Sequence, residues 1–152
     1  MNAKSAADSI SAAYFDTSAL VKRYVRESGS DRVRRLLRSR AVVSSAVLHV
    51  EAVSSVRRRL REGRLSSGSA GRILQRIEAD VAFWWLAPVS EQVVTKARSL
   101  ILGSTARTLD AIHVASASLL VGEGLSMPFV TADRRQAEIA GVAGLEVIEI
   151  GG

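Results

Sequence analysis

Apolar residues fall along this chain in two rhythms. Five short blocks are mostly apolar: AAYF (12–15), AVVS (41–44), WWLAPV (84–89), MPFVTAD (127–133) and LEVIEI (145–150). Blocks of that length and continuity read as strands buried on both faces. The segments between them repeat at helical spacing. The first runs from Thr17 to about Arg26, with Leu20, Val21, Tyr24 and Val25 on one face. The next covers 31–40, with Val33, Leu36 and Leu37 inward and Ser30 or Asp31 placed to cap it. A long helix over 46–63 is expected to be capped by Ser44 and Ser45 and stopped by Gly63, with 66–83 folding back on it as a hairpin. Further helices are expected over 90–102, over 109–122 behind a Thr108 cap and ending at Gly122 or Gly124, and over 134–141.

Strands alternating with helices, with no internal repeat or linker, predict an α/β fold in three layers. A mostly parallel sheet of about five strands lies between two helical layers. Residues 13–150 form the single domain of this reading, and 1–12 a flexible leader. In such sheets ligands bind beyond the carboxyl ends of the strands. Two strands, AYFD and FVTAD, deliver a carboxylate to that end: Asp16 and Asp133.

Two further acids have neighbours unsuited to a charge. Glu51 shares a helix face with Val47, Leu48, Ser54 and Ser55, well inside its expected helix. Asp110 opens a helix whose remaining face is Ala, Ile, Val and Ser. A carboxylate turned toward a core is costly without a compensating cation. Each has a plain alternative: Asp16 and Asp133 as helix caps, Asp110 as an acid favoured by the helix dipole, Glu51 as the partner of an arginine. Together they describe a pocket of negative charge.

Composition sharpens that picture. Lys and Arg number 21 against 15 Asp and Glu, so an acidic pocket would sit in a protein of net charge +6. An arginine-rich excess suits phosphate, although a solvated basic surface would have the same composition. There is no cysteine and there are two histidines, His49 and His113, which leaves oxygen as the available metal donor. One or two Mg²⁺ or Mn²⁺ ions fit a four-carboxylate set. Two such ions, roughly 3.5–4 Å apart, can activate water and stabilise the leaving oxygen in phosphodiester hydrolysis. No run approaches the ~20 apolar residues of a membrane span, and the cytoplasm is the expected address.

The segments YFDTSALVKRYVRESGS, VVSSAVLHVEAVSSVRRRLREGRLS, RTLDAIHVASA and FVTADRRQAEIAGVAGLEVI resemble, in order, those of the PIN-domain ribonuclease family. Within it they resemble the VapC-type toxins of toxin–antitoxin pairs. The resemblance implies a PIN-like sandwich and gives Asp16, Glu51, Asp110 and Asp133 as the metal-binding catalytic acids, with Thr17, Ser18 and Thr131 as supporting polar groups. It also implies Mg²⁺- or Mn²⁺-dependent cleavage of RNA, a homodimer, and a VapB-like antitoxin whose tail covers the site. A nuclease of RNA maturation would use the same residues. A non-catalytic RNA- or protein-binding module predicts a missing acid, and none is missing. Haloacid dehalogenase-type phosphotransferases need a second acid two residues after the first, where Ser18 stands. Receiver domains need an adjacent pair of acids after the first strand, where YFDTS has one.

Other residues carry two readings each. Arg57, Arg58, Arg59, Arg61 and Arg64 suit RNA or an antitoxin, yet cations stabilise a helix C-terminus anyway. Arg107 is placed to pair with Asp110 or to meet a phosphate. His113, three residues after Asp110, reads first as a satisfied structural histidine and second as a partner of the site. His49 faces away from Glu51. Of the adjacent Trp84 and Trp85, one points inward and the other out. Tyr24, with Leu20 and Val21, is either core or part of a groove for an antitoxin helix.

Overall fold

The computed structural model describes residues 10–151. Five strands, β1 (Ala12–Phe15), β2 (Ala41–Ser45), β3 (Trp85–Ala87), β4 (Phe129–Thr131) and β5 (Val147–Glu149), form one sheet in the order β3-β2-β1-β4-β5. Every pairing is parallel. Seven helices occupy the connections: α1 (Thr17–Val21), α2 (Ser30–Ser39), α3 (Leu48–Arg61), α4 (Ser67–Val81), α5 (Glu91–Gly103), α6 (Thr108–Gly122) and α7 (Arg134–Val142). This is the expected three-layer sandwich, wholly parallel. The leader expected over 1–12 falls outside the described residues up to position 9, and Ala12 is already part of β1.

The alternation of side chains along β1 divides the core. Ala13 and Phe15 face a layer that includes Leu20, Val33, Leu48, Val56, Ile73 and Ile77 from α1 to α4. Tyr14 faces the opposite layer, with Val93, Ala97, Val114, Ala115 and Ile139 from α5, α6 and α7. Both β1 faces are sealed, which is why AAYF carries no charged residue. α6 is lined with Ala and Ser because it lies flat against α5 and the sheet, where larger side chains would not fit.

Four expected boundaries are corrected. α1 ends at Val21, not near Arg26. Its last turn tightens, with Lys22, Arg23 and Tyr24 N–H groups bonding carbonyls three residues back, and this turns Tyr24 and Val25 into the core. Neither Ser30 nor Asp31 caps α2. Gly29 holds that position in a left-handed conformation (φ 84°), while Ser30 is buried and donates to the Val25 carbonyl. α3 begins at Leu48 because Ala46 N–H is still bound to Ala87 of β3. Ser44 therefore stays in the sheet, donating to the Phe15 carbonyl at 2.7 Å, and Ser45 only receives the Val47 N–H at 3.3 Å. At α6 Arg107 occupies the cap position, and Thr108 is the first helical residue.

The Tyr24 hydroxyl donates to Asp80 of α4 at 2.6 Å, so this residue is core and lock rather than groove. Trp84 packs on the core and Trp85 is half exposed, the split expected of neighbours near a strand start. A second lock surrounds Glu27, which meets Lys22, Arg59 and Arg64 at 3.5, 2.8 and 2.9 Å and so ties the loop before α2 to α3.

The hydrogen bond from Arg59 holds the Glu27 carboxyl below its ordinary pKa, outweighing burial. A lowered acid contributes stability above its unfolded pKa and loses it as pH falls through the folded value. Thermal unfolding of Glu27→Gln should therefore show a lower Tm than wild type at pH 7. The gap should close as pH drops below the usual glutamate range.

Candidate active site

β1 and β4 are neighbours, yet the chain leaves β1 toward β2 and leaves β4 toward β5. The sheet thus has its switch of direction between them, where crevices form at the carboxyl ends of strands. Asp16 and Asp133 follow these two strands. A cavity of about 690 Å³ opens at this end, lined by Thr17 and Ser18 of α1, Glu51, Ser54 and Ser55 of α3, Asp110 and His113 of α6, Gln136 of α7 and Asp133 just before it. Arg58, Arg107 and the exposed Leu109 complete its wall.

Asp16 is buried immediately behind that lining, at 1% exposure. One carboxylate oxygen accepts from the Ala19 backbone at 2.9 Å and from Ser18 Oγ at 2.7 Å; the other accepts from Thr131 Oγ1. It is thus the cap of α1 and the tie between β1 and β4. The first oxygen is filled by its two donors and the second keeps one lone pair, so the cap does not exclude a ligand role. Burial pushes its pKa up, and the surrounding donors pull it part of the way back. Thr131 also receives the Asp133 N–H at 3.0 Å, and Asp133 Oδ1 caps α7 by accepting from Gln136 N at 3.1 Å.

Glu51 lies in the first turn of α3 rather than deep within it, a consequence of the later helix start. The dipole of α3 therefore favours its charge. Its Oε1 accepts from Thr17 Oγ1 at 2.9 Å and lies 2.5 Å from His113 Nε2. Asp110 stands differently. Among the described residues its Oδ2 is buried with no hydrogen-bond partner, and the closest cation, Arg135 Nη2, is 4.0 Å away. Burial, then the charges of Asp133 and Glu51, raise its pKa against the pull of Arg135 and Arg107.

Glu51, Asp110 and Asp133 therefore share one cavity and feel one another's charge, with Asp16 behind them. Among the described residues, no three His, Asp or Glu side chains close into a ready-made ligand cluster. A hard cation that keeps several waters needs only one or two carboxylates. The all-oxygen donor set and the orphaned Asp110 oxygen fit such an ion.

Of the supporting groups, Thr17, Ser18 and Thr131 each bond an acid. Arg58 and Arg107 reach the cavity wall; Arg57 and Arg61 are exposed elsewhere on α3; Arg59 and Arg64 are engaged with Glu27. His49 is exposed. Sequence reasoning missed Tyr14, whose hydroxyl meets His113 Nδ1 at 2.9 Å, and Arg135, beside Asp110. Position 135 carried a signal, since it lies two residues after the strand-tip Asp133. Tyr14, one apolar position in a buried strand, carried none.

A PIN domain family model matches residues 13–142. Ribonuclease VapC46 of Mycobacterium tuberculosis is 37% identical over 140 residues, 91% of this chain and 98% of that protein. The crystal structure of FitAcB from Neisseria gonorrhoeae matches with a TM-score of 0.67 at 17% identity, covering 90% of this chain and 96% of that one. VapBC-5, a toxin–antitoxin member from M. tuberculosis, matches with 0.59 at 20% identity, covering 91% and 98%. At those identities the two structures show a shared fold.

Asp110 gives the direct test of electrostatic crowding. An acid whose pKa rises on folding favours the fold while protonated, and loses that contribution as pH rises through the folded value. Asp110→Asn should raise Tm at pH 7 in chelator, by a few degrees. The difference should vanish when pH falls below the ordinary aspartate range.

Proposed function

The chain belongs to the PIN-domain family, and from that premise we propose that it is an endoribonuclease hydrolysing RNA phosphodiester bonds with one or two Mg²⁺ or Mn²⁺ ions. Its role in this reading is the toxin of a toxin–antitoxin pair. The observation that carries the reading is the buried, unpartnered Asp110 oxygen in a cavity shared with Glu51 and Asp133, inside a wall that includes Arg58 and Arg107.

Glu51, Asp110 and Asp133 would hold the ion, and Asp16, behind Thr17 and Ser18, would complete the four-acid set through its second oxygen. The bound ion would supply activation of a water and neutralisation of the leaving oxygen. The protein's own contributions are positional. Thr17 and His113 hold Glu51 in one orientation, while Ser18 and Thr131 hold Asp16. Asp133, bound through its own cap, is fixed by α7. Arg58 and Arg107, at the rim, are placed to meet the phosphates on either side of the reacting one.

The toxin role is supported by the ribonuclease name of the 37% identical relative and by the toxin–antitoxin titles of matching structures. A VapB-like antitoxin would shield the cavity. Val50 and Val53 on α3, 67% and 46% exposed near Glu51, give its apolar residues a place to dock. We also place the protein in the cytoplasm as a homodimer. Among the described residues no helix is long and apolar enough to cross a membrane.

Incubation of the purified protein with a total-RNA pool tests this reading. In Mg²⁺ or Mn²⁺, wild type should produce discrete fragments, whereas Asp16→Asn, Asp110→Asn and EDTA-treated wild type should fall to background. Cleavage that survives EDTA or both substitutions would sink the metal-dependent mechanism.

A further inference from the structure

Beneath Glu51 lies a chain of buried polar groups that the proposed hydrolysis does not itself require. His113 is 1% exposed and Tyr14 is fully buried. Nε2 of His113 lies 2.5 Å from Glu51 Oε1, and Nδ1 lies 2.9 Å from the Tyr14 hydroxyl. The tautomer follows from the network. Glu51 can only accept, so Nε2 carries the proton. In a neutral ring Nδ1 must then accept, and the Tyr14 hydroxyl donates to it. Burial keeps that phenol protonated, well above its ordinary pKa.

The tyrosine is itself immobile. Its ring stacks on Phe129 of β4, with centroids 5.3 Å apart and planes 9° apart, and meets His113 edge-on at 5.9 Å. The imidazole is therefore held in position by β1 and in tautomer by the phenol. What it aims at Glu51 is one N–H. Thr17 delivers a second donor to the same oxygen. Both donors fall on Oε1, and among the described residues Oε2 has no protein hydrogen bond.

We propose that His113, oriented by Tyr14, is a positioning residue that locks the Glu51 carboxylate with Oε1 turned to the protein and Oε2 presented to a cation in the cavity. This rests on the cation-binding reading above. Carboxylate ligands whose second oxygen is hydrogen-bonded lose less freedom on binding, and outer partners of this kind typically change metal affinity by roughly 10–100-fold when removed. The i, i+3 spacing of Asp110 and His113 gives the arrangement its economy: one turn of α6 supplies one acid and the support of another.

The test is Mn²⁺ binding by calorimetry on purified, RNA-free protein, with thermal unfolding as the control for folding. The variants are His113→Leu, His113→Gln and Tyr14→Phe. His113→Leu removes the donor and should weaken Mn²⁺ binding by about tenfold or more. His113→Gln keeps an N–H in the place of Nε2 and should recover most of that loss, a recovery that mere core filling by leucine would not give. Tyr14→Phe keeps both ring contacts, frees the tautomer, and should weaken binding by a smaller factor. If His113→Leu does not fold, the Tyr14→Phe and His113→Gln affinities decide: weaker binding in the first with near-wild-type binding in the second supports the assignment. Wild-type affinity in a folded His113→Leu, or in Tyr14→Phe when the leucine variant does not fold, overturns it while leaving the cation reading intact. Absence of Mn²⁺ binding by wild type overturns both.

Discussion

A carboxylate removed from water needs donors aimed at it, and Asp16 receives them from three directions. Its own helix supplies the Ala19 N–H and the Ser18 hydroxyl, and the neighbouring strand supplies the Thr131 hydroxyl. These bonds require β1 and β4 to end in register, as the pairing of Tyr14 with Phe129 and Phe15 with Val130 arranges. Thr131 then passes the constraint to Asp133 through its backbone N–H, and Asp133 fixes the start of α7. One buried acid thus sets where two strands stop and two helices begin. A one-residue slip between β1 and β4 would leave that charge without partners, at a cost that breaking a buried network typically puts at several kcal/mol.

The other acids are held by different means, and the differences divide their work. Glu51 is supported from below by Thr17 and His113, and its position in the first turn of α3 lets the helix dipole share the charge. Asp133 spends one oxygen on its cap. Asp110 alone among these acids has a buried oxygen left bare, crowded by Asp133 and Glu51 and only distantly faced by Arg135. Folding concentrates negative charge here that the protein leaves partly unmatched, and a divalent cation would match it. Placing arginines at the cavity wall while keeping them out of its centre leaves room for both an ion and a phosphate.

The sheet and its order of elements were legible because both rhythms are strong. Continuous apolar blocks in the middle of a parallel sheet have no exposed face to dilute them. Helix starts were less legible where tertiary contacts override local preference. Ala46 remains bound to β3, so α3 starts late and Glu51 gains a dipole that the sequence pattern denied it. Gly29 displaces two better cap residues because the loop held by Glu27 needs a positive φ there. The Ile150 Cγ2 atom would also lie 2.4 Å from any Cβ at that position. The four acids were legible as misplaced charges, and Thr17, Ser18 and Thr131 beside them through the resemblance, whereas the deeper support of Glu51 was not. His113 and Tyr14 look like core residues because they are core residues, and their hydrogen bonds to one another depend on a contact across 99 positions of sequence.

Anomalous diffraction from crystals soaked in Mn²⁺ addresses the central claim most directly, since it locates the cation without relying on turnover. One or two peaks are expected within coordinating distance of Glu51, Asp110 and Asp133, with the Asp110 Oδ2 atom among the ligands. A fully occupied Mn²⁺ elsewhere, or an acidic cavity that stays without a peak at saturating Mn²⁺, would contradict it.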